Sequence, residues 1–302
     1  MPFNPYTLRS ARVTVQVTRP DANGTATAQT YRFQEHRMRI GVRQAGAQFG
    51  NAKIEIFGVP LQAMNQIARL WLEVLTPVGT DTVQIDVWDG QDYVPFFQGV
   101  IMWSAVNASR MPHVSLDIEA NSGSALSLVP SSPYALGATP VSLKAALTTI
   151  AAQGGFSVQY PDTVTQYQLT QARVTGAPLE QIAQLMDMFP KLTWFTSLQQ
   201  IVVREALAPV NADAIRVAAD TGLMGYPVYS TSGLTLATLF NPKITPGAAL
   251  DVQTEFDFVN RTVWVAAVLA HTLEPNVPGG QWTTQIAANS YGAKGNGTST
   301  SP

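Results

Sequence analysis

The sequence predicts a mainly β chain in which a small α+β domain is inserted between two β-rich regions. Short segments of alternating apolar and polar residues occupy both ends of the 302-residue chain, as half-buried strands do. Between these ends, two segments with helical spacing alternate with strand-like pairs in the order αββαββ, which is typical of a small α+β domain.

The first region, residues 1–130, reads as strands with one short helix. Val13, Val15 and Val17 share a face of the segment ARVTVQVTR, and the Asn-Gly pair of DANGTAT predicts a turn back into AQTYRFQ. Helical spacing in PLQAMNQIARLWL follows the strand-like NAKIEIFGV. Further strands are predicted in TVQIDVWDG, YVPFFQGVIMWSAV and HVSLDIEANSG. So many alternating segments predict a closed or nearly closed β-barrel.

The middle domain, residues 138–205, follows a Pro- and Ser-rich linker. Its first helix is predicted in VSLKAALTTIAAQGG, with Ser142 as the N-terminal cap and Gly154 and Gly155 as the stop. Strands are predicted in FSVQY and QYQLTQARV. A second helix in APLEQIAQLMDMF precedes a hairpin formed by KLTWF and QQIVVRE.

The third region, residues 206–291, is predicted to be extended again, and residues 292–302 form a flexible Gly-, Ser- and Thr-rich tail. Within this region, SGLTLATLFNPKITPGAAL contains Asn241-Pro242 and Pro246-Gly247. Proline fixes the backbone and removes a hydrogen-bond donor, so these four residues predict a stiffened turn between extended segments. We interpret this turn as a structural elbow that places strands at an interface; the alternative is an ordinary surface turn.

The composition, with few charges and many Thr, Ser, Gln and Asn residues, is typical of β-rich structure. Hydrophobic residues make up 46% of the chain, but charged residues only 13%, about half the usual share. We therefore expect other subunits to cover part of the surface. The absence of cysteine excludes disulfides and thiolate chemistry. No apolar run is long enough to cross a bilayer, and the N-terminus lacks the apolar core of a signal peptide, so we expect folding in a cytoplasm.

Basic residues concentrate near the N-terminus, where seven of 18 lie before position 44 and only Asp21 and Glu35 oppose them. Two interpretations remain open. These arginines are either the solvated face of a strand or a docking surface for an acidic partner, for which Arg37, Arg39 and Arg43 are the candidates.

The sequence contains no motif for a metal, a cofactor or a catalytic nucleophile. None of the three histidines has metal-ligand spacing, and neither G-x-S-x-G nor a phosphate-binding loop occurs. His113 and His271 are expected to be surface or hydrogen-bonded residues. The aspartates at positions 86, 89 and 92 are explained by a strand followed by a turn.

One group of carboxylates allows three interpretations. Asp251, Glu255 and Asp257 are predicted to share one face of a strand in LDVQTEFDFVN. They are the ordinary polar face of that strand, or they line an aqueous channel in which negative charge keeps DNA from binding. The third interpretation is an inverting glycosidase pair, because alternate strand residues lie about 7 Å apart.

Several segments together resemble a known family. They are, in order, AKIEIFGVPLQAMNQIARL, FFQGVIMWSAVNASRMPHVSLDIEANSG, YPVYSTSGLTLATLFNPKITPGAALDV and VAAVLAHTLEPNVPGGQWTTQIAA. This ordered set resembles the baseplate hub proteins of contractile-tailed bacteriophages. The matching motifs are residues 97–101, residues 239–247, His271, and the Gly-Gly-x-Trp at residues 279–282. The segment VTGAPLEQIAQLM in the middle domain is similar to small α/β modules of secretins.

The resemblance implies a fold and a set of partners. Two tail-tube-like β-barrel domains would flank the αββαββ domain, and three subunits would form a ring that imitates the sixfold symmetry of the tail tube. The implied partners are two further copies, the central spike, the tail tube protein, other baseplate proteins, and genomic DNA in transit through a channel. The chain would be assembled in the host cytoplasm and reside in the virion baseplate.

Two other functions remain as alternatives. One is another adaptor of an injection machine, at the end of a tail tube or the base of a secretion-system spike. The other is a cell-wall hydrolase that uses Glu255 with Asp251 or Asp257.

Overall fold

Strands dominate the architecture of this chain. The computed structural model describes residues 8–20, 25–45, 50–68, 81–109, 111–162, 164–211, 213–231 and 233–293. Thirteen of the strands in these ranges form one sheet, and the smaller sheets lie in the middle of the chain. No helix within these ranges is long and apolar enough to cross a membrane.

Within the described residues, the first region contains seven strands and one helix. These are β1 (Ala11–Pro20), β2 (Ala26–Phe33), β3 (Met38–Ala45), β4 (Gly50–Phe57), α1 (Leu61–Ile67), β5 (Thr82–Trp88), β6 (Tyr93–Asn107) and β7 (Ser115–Asn121). Val13, Val15 and Val17 are buried, which confirms the predicted apolar face of β1. The β1–β2 pairing confirms the predicted return strand, whereas the Asn-Gly turn lies outside the described residues.

The seven strands of the first region surround one core. Their order is β2-β1-β5-β6-β7-β4-β3. Side chains from both ends of this order, such as Phe33 of β2 and Met38 of β3, belong to the same buried cluster, so the sheet wraps around its core. However, no hydrogen-bonded ladder joins β2 to β3 in the described residues. The predicted closed barrel is therefore an open, wrapped sheet in its hydrogen bonding.

The middle of the chain folds around a separate core. Its elements are α2 (Ser124–Leu128), β8 (Tyr134–Ala135), β9 (Val141–Ser142), α3 (Leu143–Gln153), β10 (Ser157–Gln159), β11 (Gln168–Leu169), β12 (Arg173–Val174), α4 (Pro178–Asp187), β13 (Leu192–Ser197) and β14 (Gln200–Glu205). Ser142 Oγ accepts a hydrogen bond from the Ala145 N–H at 3.2 Å, which confirms the predicted cap.

The prediction of one continuous strand in QYQLTQARV is wrong. The segment QYQLTQARV is divided into β11 and β12 because Gln171 between them has a φ of 52°, which no strand residue adopts. The two short strands pair with different partners, β9 and β8.

The third region adds six strands around a third core. Its elements are β15 (Ile215–Val217), a 3₁₀ turn (Ala219–Thr221), β16 (Leu223–Ser230), β17 (Gly233–Leu239), β18 (Ala249–Val252), α5 (Asp257–Asn260), β19 (Thr262–Leu273) and β20 (Trp282–Ala293). Because β20 continues to Ala293, structure extends two residues into the predicted tail, and residues 294–302 lie outside the described residues.

Strand β19 connects the first and third regions in one sheet. Along one side it pairs with β20. Along the other side it pairs first with β18, through residues 264 and 265, and then with β3, through Val268–Leu273. The two outer regions therefore share a ladder, although more than 200 residues separate β3 from β19 in the chain.

Candidate functional site

The Asn241–Gly247 turn contains two consecutive tight turns, each explained by its residues. Asn241 Oδ1 accepts a hydrogen bond from the Lys243 N–H at 3.0 Å, and the Asn241 carbonyl accepts one from the Ile244 N–H at 3.1 Å. In the second turn, the Ala248 N–H donates to the Thr245 carbonyl at 3.0 Å. Pro246 suits the second position of this turn, and Gly247, with a φ of 83°, suits the third. The prediction of a stiffened turn is confirmed.

This turn lies where β19 changes partner. The Gly247 N–H donates to the Ala266 carbonyl at 2.7 Å, and the Ala266 N–H donates to the Ala248 carbonyl at 3.0 Å. The register of β19 against β20 shifts between Ala266 and Val268, and its pairing with β3 begins at Val268. The turn therefore satisfies the backbone of β19 between its pairing with β18 and its pairing with β3.

The same turn also holds the segment that leaves the middle region. The Val210 N–H donates to the Gly247 carbonyl at 2.9 Å. A Cβ atom at position 247 would lie 2.6 Å from Val210 Cγ2 and 3.3 Å from Arg204 Cδ, so a glycine is required by space as well as by φ. We name the contact among Arg204, Val210, Gly247 and Ala266 the junction, because it joins the middle and third regions.

Arg204 is an unusual cation within the junction. Its Nη1 donates to the Ala208 carbonyl at 2.6 Å, while its Nε is buried and has no hydrogen-bond partner in the described structure. Burial lowers the pKa of Arg204 from its ordinary value. Arg204 holds the chain that leaves β14 rather than presenting charge to a partner.

A cleft of about 500 Å³ lies beside the junction. It is lined on one side by the turn (Lys243, Thr245 and Pro246) and on the other by the middle hairpin (Phe195 and Gln200). No group of three or more metal-ligating side chains occurs within the residues that the structure describes.

The predicted elbow residues are thus brought together, but their contacts are within the chain. Pro246 and Gly247 are buried, and Asn241 and Pro242 are half-buried. They contact the sheet and the middle region of their own subunit. Their role at an interface between subunits stays a prediction.

The three candidate arginines lie in or directly before β3, in different surroundings. The Arg37 guanidinium stacks on Phe57, 4.2 Å from the ring centroid. Arg39 pairs with Glu55 at 3.5 Å and with Glu274 at 3.4 Å. Arg43 is exposed. Arg39 and Arg43 share the outward face of β3, so two of the three candidates point away from the core.

The prediction that Asp251, Glu255 and Asp257 share a strand face is wrong. Strand β18 ends at Val252, Glu255 lies in the following loop, and Asp257 begins α5. The cause is Asn260, whose amide accepts from the Thr254 N–H and donates to the Thr254 carbonyl, both at 2.7 Å. These side-chain bonds to the backbone replace a ladder and remove the spacing on which the glycosidase interpretation depended.

Three of the motifs behind the family resemblance converge on one aromatic cluster. His271 is buried and its Nδ1 lies 2.9 Å from Thr284 Oγ1, which confirms the prediction of a hydrogen-bonded histidine. Its ring lies 5.5 Å from that of Phe240 and 4.9 Å from that of Phe96, and Phe240 also contacts Trp282 at 5.6 Å. Burial lowers the pKa of His271 to about 3.

Sequence reasoning did not identify this cluster. Phe240, His271 and Trp282 were noted separately, but they lie on different strands or loops and share no spacing along the chain. Their common feature is membership in motifs that resemble one family.

Comparison with known proteins agrees with these observations. A family model described as Baseplate hub gp41 matches residues 77–275, about two thirds of the chain. No curated protein matches the sequence.

Several solved structures share the fold. A tail protein from Neisseria meningitidis MC58 has a TM-score of 0.60 at 10% identity, over 93% of this chain and 96% of that chain. The 43 kDa tail protein of prophage MuSo2 from Shewanella oneidensis has a TM-score of 0.57 at 10% identity, over 91% and 95%. The E. coli c3393 protein, a component of the type VI secretion system, has a TM-score of 0.54 at 9% identity, over 85% and 74%. At these identities the similarity shows the fold alone.

Proposed function

Because this chain belongs to the Baseplate hub gp41 family, we propose that it is a structural hub of a phage tail baseplate. It forms a homotrimer that connects the sixfold tail tube to the threefold central spike and encloses a channel for DNA. The observation that carries this proposal is the family match over residues 77–275, which includes parts of all three regions.

The arrangement of the outer regions supports two similar units per subunit. In the first region the strand order runs from β2 to β3, and in the third it runs from β16 to β15. In both cases the two end strands are neighbours in the chain, and the described residues show no ladder between them. Each region surrounds a core, and Phe240, Leu273 and Trp282 of the third region also contribute to the first core. We propose that these are the two tube-like barrel domains, residues 1–130 and 206–291, and that residues 138–205 form the intervening α+β domain.

The channel wall requires a polar surface. Glu255 and Asp257 are exposed and Asp251 is half-buried, and we retain them as candidates. A second candidate is the outward face of β4 and β7, where Lys53 and Glu119 lie side by side next to the arginine-bearing strand β3. Lys53 and Glu119 form an ion pair at 2.7 Å, so this pair has balanced charge and would not bind DNA tightly.

Arg37, Arg39 and Arg43 are proposed to contact an acidic partner, such as the spike, the tube or another baseplate protein. The exposed positions of Arg39 and Arg43 on β3 support this role. The shared ladder fixes that strand rigidly between β4 and β19.

The adaptor of a secretion-system spike is the second candidate function. It is favoured by the fold that the chain shares with the E. coli secretion-system component. Light scattering does not distinguish these two functions, because both require a ring. The kind of particle that contains the chain, a phage tail or a secretion system, distinguishes them.

The decisive experiment is electron microscopy of assembled phage particles in which this chain carries a label. We expect the label at the junction of tail tube and spike, in three copies. Light scattering of the purified chain supplies the copy number independently. A monomer that clears peptidoglycan would contradict the proposal.

The elbow has a separate test. We expect Pro242→Ala with Pro246→Ala to impair trimer formation and tail assembly, because the freed turn no longer fixes β18 and β19. Unchanged assembly would show that this turn acts only within the subunit.

A further inference from the structure

A cluster of exposed aromatic side chains lies at one end of the shared sheet. We name it the aromatic rim: Tyr226 and Tyr229 of β16, with Phe256 and Phe258 at the start of α5. These side chains are 69%, 58%, 44% and 51% exposed. Ring centroids lie 6.0 Å apart for Tyr226 and Phe256, and 5.2 Å apart for Tyr229 and Phe258, so the rim is one continuous surface.

The area of the rim is large enough for an interaction site. An aromatic side chain can bury about 150–250 Å², so four half-exposed rings present roughly 400 Å². That is comparable to the largest apolar patch of a typical monomer and about half of one side of a standard protein interface. The two Asn260–Thr254 hydrogen bonds hold the loop that carries Phe256 and Phe258, so the rim is a built surface.

The strand next to the rim is unsuited to pairing with another strand. β16 is the last strand of the ladder. It contains Pro227, which lacks an N–H, and Gly225 with a φ of 67°, and its register shifts between Met224 and Val228. Such features prevent edge-to-edge addition. A partner therefore contacts the rim through side chains.

The opposite end of the same sheet has complementary properties. β2, the last strand there, contains neither proline nor glycine. Arg32 on β2 is exposed and, like Glu255 beside the rim, has no ion-pair partner within the described residues. A guanidinium group stacks on aromatic rings and pairs with carboxylates. Arg32 therefore suits both the rings of the rim and the Glu255 carboxylate beside them.

We propose that the aromatic rim of one subunit binds the β2 end of a second copy of this chain, with Arg32 placed against the rings and Glu255. Because two different surfaces meet, the contact is head-to-tail, and the proposed homotrimer requires that three such contacts close into a ring. A rim-to-rim contact would instead bring the two Glu255 carboxylates toward each other. This inference rests on the proposed homotrimer and identifies its contact, and it assigns Glu255 to that contact rather than to the channel wall.

Cysteine cross-linking tests the contact directly, since the chain contains no cysteine. Val228→Cys beside the rim and Thr30→Cys on β2 leave the four rings, Arg32 and Glu255 intact, and both positions are exposed. Under mild oxidation we expect a mixture of the two single variants to form disulfide-linked dimers, and the double variant to form covalent trimers. The matched control pairs Thr30→Cys with Thr149→Cys, an exposed position on α3, and should give no cross-link.

The possible outcomes show which surface or protein occupies the rim. Dimers formed by Val228→Cys alone would mean that two rims meet and would overturn the head-to-tail contact. Trimers without any cross-link would assign the rim to another protein while leaving the proposed hub function intact. Cross-linked trimers found away from the tube–spike junction would contradict the hub function but not this contact.

Charge reversal provides a second measurement. We expect Glu255→Arg and Arg32→Glu each to weaken subunit association about tenfold, which corresponds to about 1.4 kcal/mol, and the double variant to restore it. Circular dichroism checks the fold of each variant. Two single variants with unaltered association would overturn the role of this charge pair.

Discussion

At the scale of single residues, Gly247 is the position on which the junction depends most. Its N–H and carbonyl bond to β19 and to the chain that leaves the middle region, and its φ is 83°. Gly58 has a similar φ of 77°, but a Cβ atom there would meet no atom within 4 Å. Alanine substitutions at these two glycines therefore distinguish the cost of backbone strain from the cost of steric overlap.

We predict that Gly247→Ala lowers the free energy of unfolding by more than Gly58→Ala does. The control carries only the strain of a left-handed alanine, about 1–2 kcal/mol. Gly247→Ala adds a clash with Val210, for which overpacking costs about 1–3 kcal/mol. Urea unfolding followed by tryptophan fluorescence measures both decreases in the free energy of unfolding. Equal decreases would mean that the junction accommodates the added methyl group without cost.

His271 is the residue with the clearest pH response. Its Nε2 is buried without a hydrogen-bond partner in the described structure, and burial lowers its pKa from 6.5 to about 3. The unfolded chain therefore takes up a proton before the folded chain does, which favours unfolding as the pH falls.

We predict that the free energy of unfolding decreases as the pH falls from about 6.5 toward 3, by up to about 1.4 kcal/mol per pH unit from this residue. His271→Gln keeps a polar partner for Thr284 but does not titrate, so its stability should decline less steeply. Urea titrations at pH 7, 6, 5 and 4 give the two slopes. Parallel slopes would place the acid sensitivity elsewhere.

At the scale of elements, β3 combines a buried and an outward face. Met38, Ile40 and Val42 are buried in the first core, whereas Arg39 and Arg43 are exposed. Because neighbouring strands fix β3 on both sides, substitutions on its outward face should alter recognition without altering the fold.

We predict that neutralising Arg37, Arg39 and Arg43 with glutamine weakens a salt-sensitive contact with an acidic baseplate partner. Exposed charges more than about 8–10 Å apart are screened at physiological salt, so binding of the unaltered chain should also decline as salt increases. Co-sedimentation with tail components at 50 and 300 mM salt measures both effects. Arg173→Gln, at an exposed position in the middle region, is the control. Binding that responds to neither salt nor substitution would assign these arginines to the solvated face of the strand.

At the scale of the whole molecule, the first and third regions share one hydrogen-bonded sheet through β3 and β19. Thr272 of β19 lies between Gly41 of β3 and Thr283 of β20. A disturbance at this point should spread to both regions, whereas one in the outermost strand β16 should stay local.

We predict that Thr272→Pro lowers amide hydrogen-exchange protection in both β3 and β20 and destabilises the chain by at least about 1–3 kcal/mol, the cost of leaving a buried polar group unpaired. Val228→Pro in β16 is the matched control and should affect little beyond β17, because proline is tolerated in edge strands. Loss of protection confined to β20 would show that the two regions are coupled weakly.

The accuracy of the sequence predictions depended on the range of the interactions involved. The cap at Ser142 and the turn at Pro246 and Gly247 are formed by residues within a few positions of one another, and both were predicted. The strand predicted across residues 250–260 was wrong because Asn260 bonds to Thr254 and bends the chain. Strand β16 was included only in the general prediction of an extended third region, because Gly225 and Pro227 interrupt its pattern. The roles of the candidate acids, arginines and elbow residues stay predictions.

The sequence by itself determined the β-rich character, the two-helix middle segment and, through motifs in a fixed order, the family. These follow from local periodicity, capping and turn chemistry, which short stretches of chain carry completely. Only the tertiary structure decided that β19 joins β3, that Phe240, His271 and Trp282 meet in one cluster, and that the aromatic rim stays exposed. Each of these depends on which distant segments come together, and the register of strands more than 200 residues apart leaves no local pattern in the chain.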